Sequence, residues 1–326
     1  MPRWLLALLV ALNVLPSSGM AQNAGPQIAP VTELDESIFP PATKRRQIGR
    51  GRMFTNDFLG DRYDRWQTGS YTFSRVWAWD SWQGRAPAGF GNLLEMRIGG
   101  RIITPENLRT FVPSDRPWAG SLNFGLHTHW SRGNTEFALG SDLVVIGPQT
   151  QLDHLQELLH DIFDAPIPRN AVLSRQIGNQ VWPTLVGEVG HTIQIGGQSR
   201  LRPYAELRAG DESLVRFGAD LTIGTYGLGE LMARENVTGQ RYRVVQQETL
   251  GMSFVLGADV AHVFDSVYLP SSRGFQLTDT RNRVRAGFHW QGETSSVFYG
   301  ATWLDREFTS QRESQLVGSV RLQFQF

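Results

Sequence analysis

The chain has 326 residues, with 31 Lys plus Arg set against 31 Asp plus Glu, and it contains no cysteine. This charge balance gives no bulk attraction to nucleic acid, so DNA and RNA are not expected as partners. The lack of cysteine excludes a disulfide scaffold, a thiolate nucleophile and a sulfur-based zinc site.

Arg3 precedes an apolar run from Trp4 to Leu15, and the Gly19-Met20-Ala21 step follows. This is the layout of a secretory signal peptide, residues 1–21, cut after Ala21. The run holds about a dozen residues where a spanning helix needs roughly 20. Residues 22–48, aperiodic and proline-containing, read as a periplasmic leader. No later stretch is apolar over a helical spanning length, so a membrane location demands a closed barrel.

Residues 49–326 read as that barrel. Segments of about ten residues alternate apolar and polar side chains between turn residues, the pattern of strands with one lipid face and one polar face. Leu122, Phe124 and Leu126 alternate with Asn123, Gly125 and His127. Val215, Phe217, Ala219, Leu221 and Ile223 alternate with Arg216, Gly218, Asp220 and Thr222. Met252 to Val260 and Val297 to Trp303 repeat the theme.

About twelve strands follow, near 49–59, 67–80, 90–104, 118–131, 134–147, 180–196, 199–210, 213–226, 247–264, 282–291, 296–307 and 315–326. An even number is what bacterial barrels use. Val320, Leu322, Phe324 and the terminal Phe326 look like the aromatic signal that the barrel-assembly machinery reads during insertion. The expected fold is an all-β, transmembrane antiparallel barrel in the outer membrane of a Gram-negative bacterium, surrounded by its lipids.

One segment departs from period two. In residues 151–163, Leu152, Leu155, Leu159 and Ile162 fall at helical spacing, which predicts a short amphipathic helix. With the first strand rising from the periplasm, the connections after strands 1, 3 and 5 open outside the cell. The helix belongs to the third of these extracellular loops.

Unusual clusters occupy the same three connections: Asn56-Asp57, Asp64-Arg65 and Thr68-Gly69; Thr104-Pro105 and Arg116-Pro117-Trp118-Ala119-Gly120; and Gly147-Pro148 followed by Gln156 to His160. In this order the motifs resemble those of the outer-membrane lipid A 3-O-deacylase family. The resemblance spans most of the chain after residue 21 and is weaker in the C-terminal half. It implies a hydrolase that removes the ester-linked acyl chain at the 3-position of lipid A, the lipid anchor of lipopolysaccharide, with calcium as cofactor.

The resemblance implies that His160 is the general base, a role that suits imidazole because it titrates near neutrality. Gln156 lies one turn earlier on the same face, as a substrate-binding candidate. Asn56 and Asp57 match the family's paired residues. Asp57 would orient His160 or ligate calcium, and the Asn56 amide would donate to the oxyanion. Thr68 matches a hydrogen-bonding threonine of the site. Asp61 and Asp64 are further calcium candidates, since calcium prefers oxygen donors from acidic loops. Two positions depart from the family pattern, with Thr55 and Gln67 where a glutamate and a tyrosine are common. The basic residue that members carry after the Thr-Pro step falls on Thr110, so the adjacent Arg109 is the substrate-binding candidate. Arg116 to Gly120 reads as structural.

Competing readings are an outer-membrane phospholipase and a non-enzymatic barrel acting as a pore or adhesion scaffold. A Ser-His-Asp arrangement is disfavoured because no G-x-S-x-G elbow occurs.

Overall fold

The computed structural model of the chain describes residues 44–163, 165–247 and 249–324. The expected signal peptide, most of the expected leader and Phe326 lie outside the described residues. The chain divides into Met1–Arg45, of which only Lys44 and Arg45 are described, and the compact unit Arg46–Phe326.

The second unit is a closed barrel of twelve antiparallel strands. They are β1 Arg46–Asn56, β2 Trp66–Ala78, β3 Leu93–Thr104, β4 Ala119–Arg132, β5 Thr135–Ile146 and β6 Gln180–His191. After them come β7 Ser199–Ala209, β8 Glu212–Ile223, β9 Gly251–Ser266, β10 Arg281–Gln291, β11 Ser295–Leu304 and β12 Gln315–Phe324. Each pairs with its sequence neighbour, and β1 closes the ring on β12 with Phe54 opposite Val320. Closure matters because hydrocarbon offers no partner to an open strand edge. No helix of the described residues is long and apolar enough to cross a membrane.

Side-chain alternation sorts as the sequence predicts. Phe124, Leu126, Phe217, Phe254 and Leu256 stand exposed on the outer surface. Their alternates turn into a lumen of ion pairs: Asp259 meets Arg216, Arg283 and Arg285, and Asp220 meets Arg234 and Arg285. Such charges need partners once removed from water, and each carboxylate here has at least two.

The lumen is also occupied by backbone. Between β8 and β9, where alternation gives no strand, Leu231–Arg234 and Arg241–Val245 form a hairpin that pairs only with itself. Its residues Leu231, Tyr242, Val244 and Val245 share a core with Met53, Val76, Leu93 and Phe298 of the wall. The hairpin lies so close to β1 that a Cβ on Gly49 would come within 2.1 Å of the Val244 carbonyl oxygen, and one on Gly51 within 2.5 Å of that of Arg243. Glycine at 49 and 51 is therefore a packing requirement of this inner hairpin.

The two ends of the barrel differ. The upper end carries the connections after β1, β3, β5, β7, β9 and β11, whereas the inner hairpin enters from the lower end, where the chain also enters β1 and leaves β12. The expected helix is α1, Leu152–Phe163, in the β5–β6 connection; a single turn, α2, Asn170–Leu173, follows it. The first strand spans 46–56 instead of 49–59, because residues 57–59 turn over as a short 3-10 segment.

Candidate active site

The site is built where the first and third upper connections meet. Asn56 ends β1 by capping the turn: its Oδ1 accepts from Phe58 N at 2.9 Å, and its Nδ2 donates to the Thr68 carbonyl at 2.9 Å. The two ends of loop 57–65 are thus joined by one side chain. Asp57 is buried, and its Oδ2 accepts from Arg65 N at 3.0 Å. Asp61 is committed to the loop itself. It accepts from Tyr63 N at 3.1 Å and Leu316 N at 3.1 Å, and pairs with Arg65 at 3.5 Å.

The return into β2 is strained and bulged. Trp66, buried, holds φ at +53°, a region costly for a bulky side chain, at about 1–3 kcal/mol. The Arg65 guanidinium stacks over its ring at 4.3 Å, one of the contacts that hold it there. The β2–β3 register then shifts between Gln67 and Gly69, which leaves Thr68 as the extra residue of a bulge. Gln67 turns to the lumen and donates to Glu307 at 2.9 Å. The buried Thr68 hydroxyl bonds that of Thr104 at 2.7 Å and lies beside Asp64.

Helix α1 rests on the outside of the wall. Gly120 makes this possible, since a Cβ there would meet Leu152 Cβ at 2.9 Å and Thr150 Oγ1 at 2.8 Å. Leu152 packs with Trp118 and Val172 against Ile102 and Leu122. One turn on, Gln156 is buried and accepts from the Trp118 indole at 2.7 Å. That bond orients the amide so that its Nε2 faces His160 Nε2, 3.5 Å away. His160 Nδ1 lies 2.7 Å from the Pro166 carbonyl oxygen. A carbonyl only accepts, so Nδ1 carries a proton and Nε2 is the atom left to exchange one.

His160 Nε2 lies 3.2 Å from Asp64 Oδ2. The carboxylate beside the candidate base is therefore Asp64, where the sequence offered Asp57 for the orienting role. Burial raises the Asp64 carboxyl from its ordinary range, against the opposing pull of the His160 ring and the Thr68 hydroxyl. Neither Asp64 oxygen meets a well-aligned donor. Asp57 is raised well above the ordinary range, first by burial and then by the charges of Asp64 and Asp61. A buried carboxyl raised by a neighbouring carboxylate favours a proton or a cation beside it.

Beside the pair a cleft of about 450 Å³ opens, lined by Asp64, Trp66, Arg109, Asp115, Pro166 and Arg312 among others. Arg109 thus borders the cleft, its backbone N–H held by Asn107 Oδ1 at 2.9 Å. Gln156 lies behind His160 and is shaped to orient it. Arg116, read from sequence as structural, pairs with Glu307. Burial opposes it, but Arg116 and Arg281 hold the Glu307 carboxyl below its ordinary range.

The family model described as outer membrane protein LpxR matches residues 6–326, nearly the whole chain. The chain belongs to the LpxR family. Among solved structures, LpxR from Salmonella typhimurium superposes with a TM-score of 0.70 at 18% identity, over 85% of this chain and 100% of that one. At that identity the likeness speaks for a shared LpxR fold. The NanC porin matches with a TM-score of 0.38 at 6% identity, over 85% of this chain and 100% of its own. No curated protein sequence matches the chain. LpxR family membership places the barrel in the outer membrane.

Three features of the candidate site lay outside the sequence reading. The Trp118 indole and the Pro166 carbonyl act through contacts on the far side of Gln156 and His160. The Asp64 partnership needed the loop's closure. Only the helical spacing of Gln156 and His160 signalled that one face of α1 carries both.

Proposed function

We propose that the protein is a lipid A 3-O-deacylase, hydrolysing the ester-linked acyl chain at the 3-position of lipid A. The observation that carries this reading is the His160–Asp64 pair, set between α1 and the outer wall in an LpxR-family barrel. A site on the outer wall at the upper rim meets lipid from the side. With the chain entering from the periplasm, that rim opens on the outer leaflet, where lipid A lies.

The chemistry assigned is attack of water on the ester carbonyl. His160 accepts the water proton at Nε2, while Nδ1 stays bonded to the Pro166 carbonyl and keeps the ring oriented. Gln156, locked by Trp118, holds the ring from the other side. His160 returns the proton to the departing sugar oxygen. Asn56 and Thr68 shape the loop that presents Asp57 and Asp64; one Asn56 N–H is spent on the Thr68 carbonyl, and the second is the oxyanion donor. Arg109 at the cleft edge suits a lipid A phosphate.

Calcium fits part of the expected set. No group of three or more His, Cys, Asp or Glu side chains forms a preformed metal cluster among the described residues. Asp57 and Asp64 suit a hard cation, since Asp57 is buried and feels the charge of Asp64, and the Asp64 oxygens are short of donors. Asp61 does not, because its oxygens are taken by Arg65, Tyr63 and Leu316. Calcium held by Asp57 and Asp64 would supply positive charge against the developing oxyanion.

The test is mass spectrometry of lipid A from a Gram-negative host expressing the protein or its His160→Ala variant, with calcium supplied. Loss of one 3-hydroxyacyl chain from the 3-position with the parent alone is expected. Unaltered lipid A despite confirmed insertion, with phospholipids cleaved instead, would replace this reading by the phospholipase one.

A further inference from the structure

Helix α1 is divided lengthwise into three sectors, as its residues advance about 100° each. Leu152, Gln156, Leu159 and His160 turn to the barrel wall; Asp153, His154, Glu157 and Asp161 form a polar sector. The third sector is Leu155, Leu158 and Ile162, with exposures of 45%, 58% and 57%. The wall residues Leu126 and Leu185, which face lipid, show 57% and 61%. Three large apolar side chains on one helix face are thus as bare as the transmembrane surface itself.

We propose that this sector of α1 is seated in the outer leaflet, packed against the acyl chains of lipids around the barrel. The occupant follows from continuity. Leu152 packs on Leu122, and Leu122 begins the outward row Leu122, Phe124, Leu126 of β4. The sector therefore extends an apolar surface that already faces hydrocarbon, and Ile167, exposed just after α1, lengthens it. The polar sector lies on another side and carries three carboxylates, which keep that face in water. A helix so placed sinks by roughly 5–10 Å into the headgroup–acyl boundary. His160 lies at the other edge of the wall-facing sector, beside Asp153 of the polar sector and away from the apolar one. This seating is independent of the hydrolysis reading.

Because the chain has no cysteine, a single introduced one is unique. Leu158→Cys, His154→Cys and Leu126→Cys, each carrying a nitroxide, would be compared in liposomes of phosphatidylethanolamine and phosphatidylglycerol. The Leu158→Cys label should match that of Leu126→Cys, relaxed by oxygen and shielded from a water-soluble nickel chelate, and the His154→Cys label should show the reverse. A Leu158→Cys label open to nickel, or one broadened by a label on a second copy, overturns the proposal. The variant carrying Leu155→Ser, Leu158→Ser and Ile162→Ser should lose hydrolysis of bilayer lipid A severalfold more than hydrolysis of lipid A in detergent micelles. Equal losses in both also overturn it. The label readout needs no turnover, so it stands or falls apart from the deacylase assignment.

Discussion

Asp64 Oδ2 lies 3.2 Å from His160 Nε2, and these residues come from different connections of the barrel, 96 positions apart in sequence (160 − 64). The contact joins the loop that closes β1 onto β2 to the helix that rests outside β4. Since Pro166 already fixes the proton on Nδ1, Asp64 faces the atom that exchanges protons. On the proposed mechanism it therefore stands beside the water that His160 would activate.

Exchange of His160 for Ala should lower the deacylation rate by roughly 10²–10⁴-fold, the usual contribution of a general base. Asp64→Asn should fall within the same range, whereas Asp61→Asn should be mild because that side chain serves the loop. Rates from a time course of lipid A mass spectra check this ordering. Near-parental activity of Asp64→Asn would remove it from the site.

Asp57→Asn should inactivate the protein yet stabilise it at neutral pH when no divalent cation is present. The folded-state pKa of Asp57 is raised, so its ionised form opposes folding above that pKa, and the opposition vanishes below the unfolded value. The parent should therefore approach the variant's stability on acidification. Calcium should raise the parent's unfolding midpoint and leave the variant's nearly unmoved. Heat-modified mobility on detergent gels, with and without calcium, measures both. A destabilised variant at neutral pH would count against the buried-charge account.

Trp118→Phe keeps an aromatic ring in the fully buried position but removes the donor to Gln156. An unsatisfied buried amide oxygen should cost about 1–3 kcal/mol of stability. With Gln156 free to rotate, kcat should fall while KM changes little. A change confined to KM would instead assign Trp118 to substrate binding.

The inner hairpin should keep the intact barrel from conducting. Replacing residues 228–247 by a short Gly-Ser linker should produce ion channels in planar bilayers, and Gly49→Val should disturb folding or expel the hairpin, given the 2.1 Å approach of Val244 O. Open channels from the unaltered protein would revive the pore reading.

By itself the sequence determined the barrel, its strand count, the upper placement of the three motif-bearing connections and the helix in the third. Each follows from a local period, two for lipid-facing strands and 3.6 for α1, which repeats over enough residues to be read without partners. Phe124 and Leu126, like Phe254 and Leu256, are exposed, while Gly125 and Val255 between them are buried, as alternation demands. The tertiary structure alone decided which carboxylate meets His160, that Gln156 is held by Trp118, and that a hairpin fills the lumen. The hairpin strands have only four and five residues and are buried among wall side chains on several sides, so neither period shows in them. Asp57, Asp61 and Asp64 are equivalent as letters in one acidic loop. Their roles separate only when the Thr68 bulge, the backbone turn at Arg65 and the seating of α1 on Gly120 bring one of them to the imidazole.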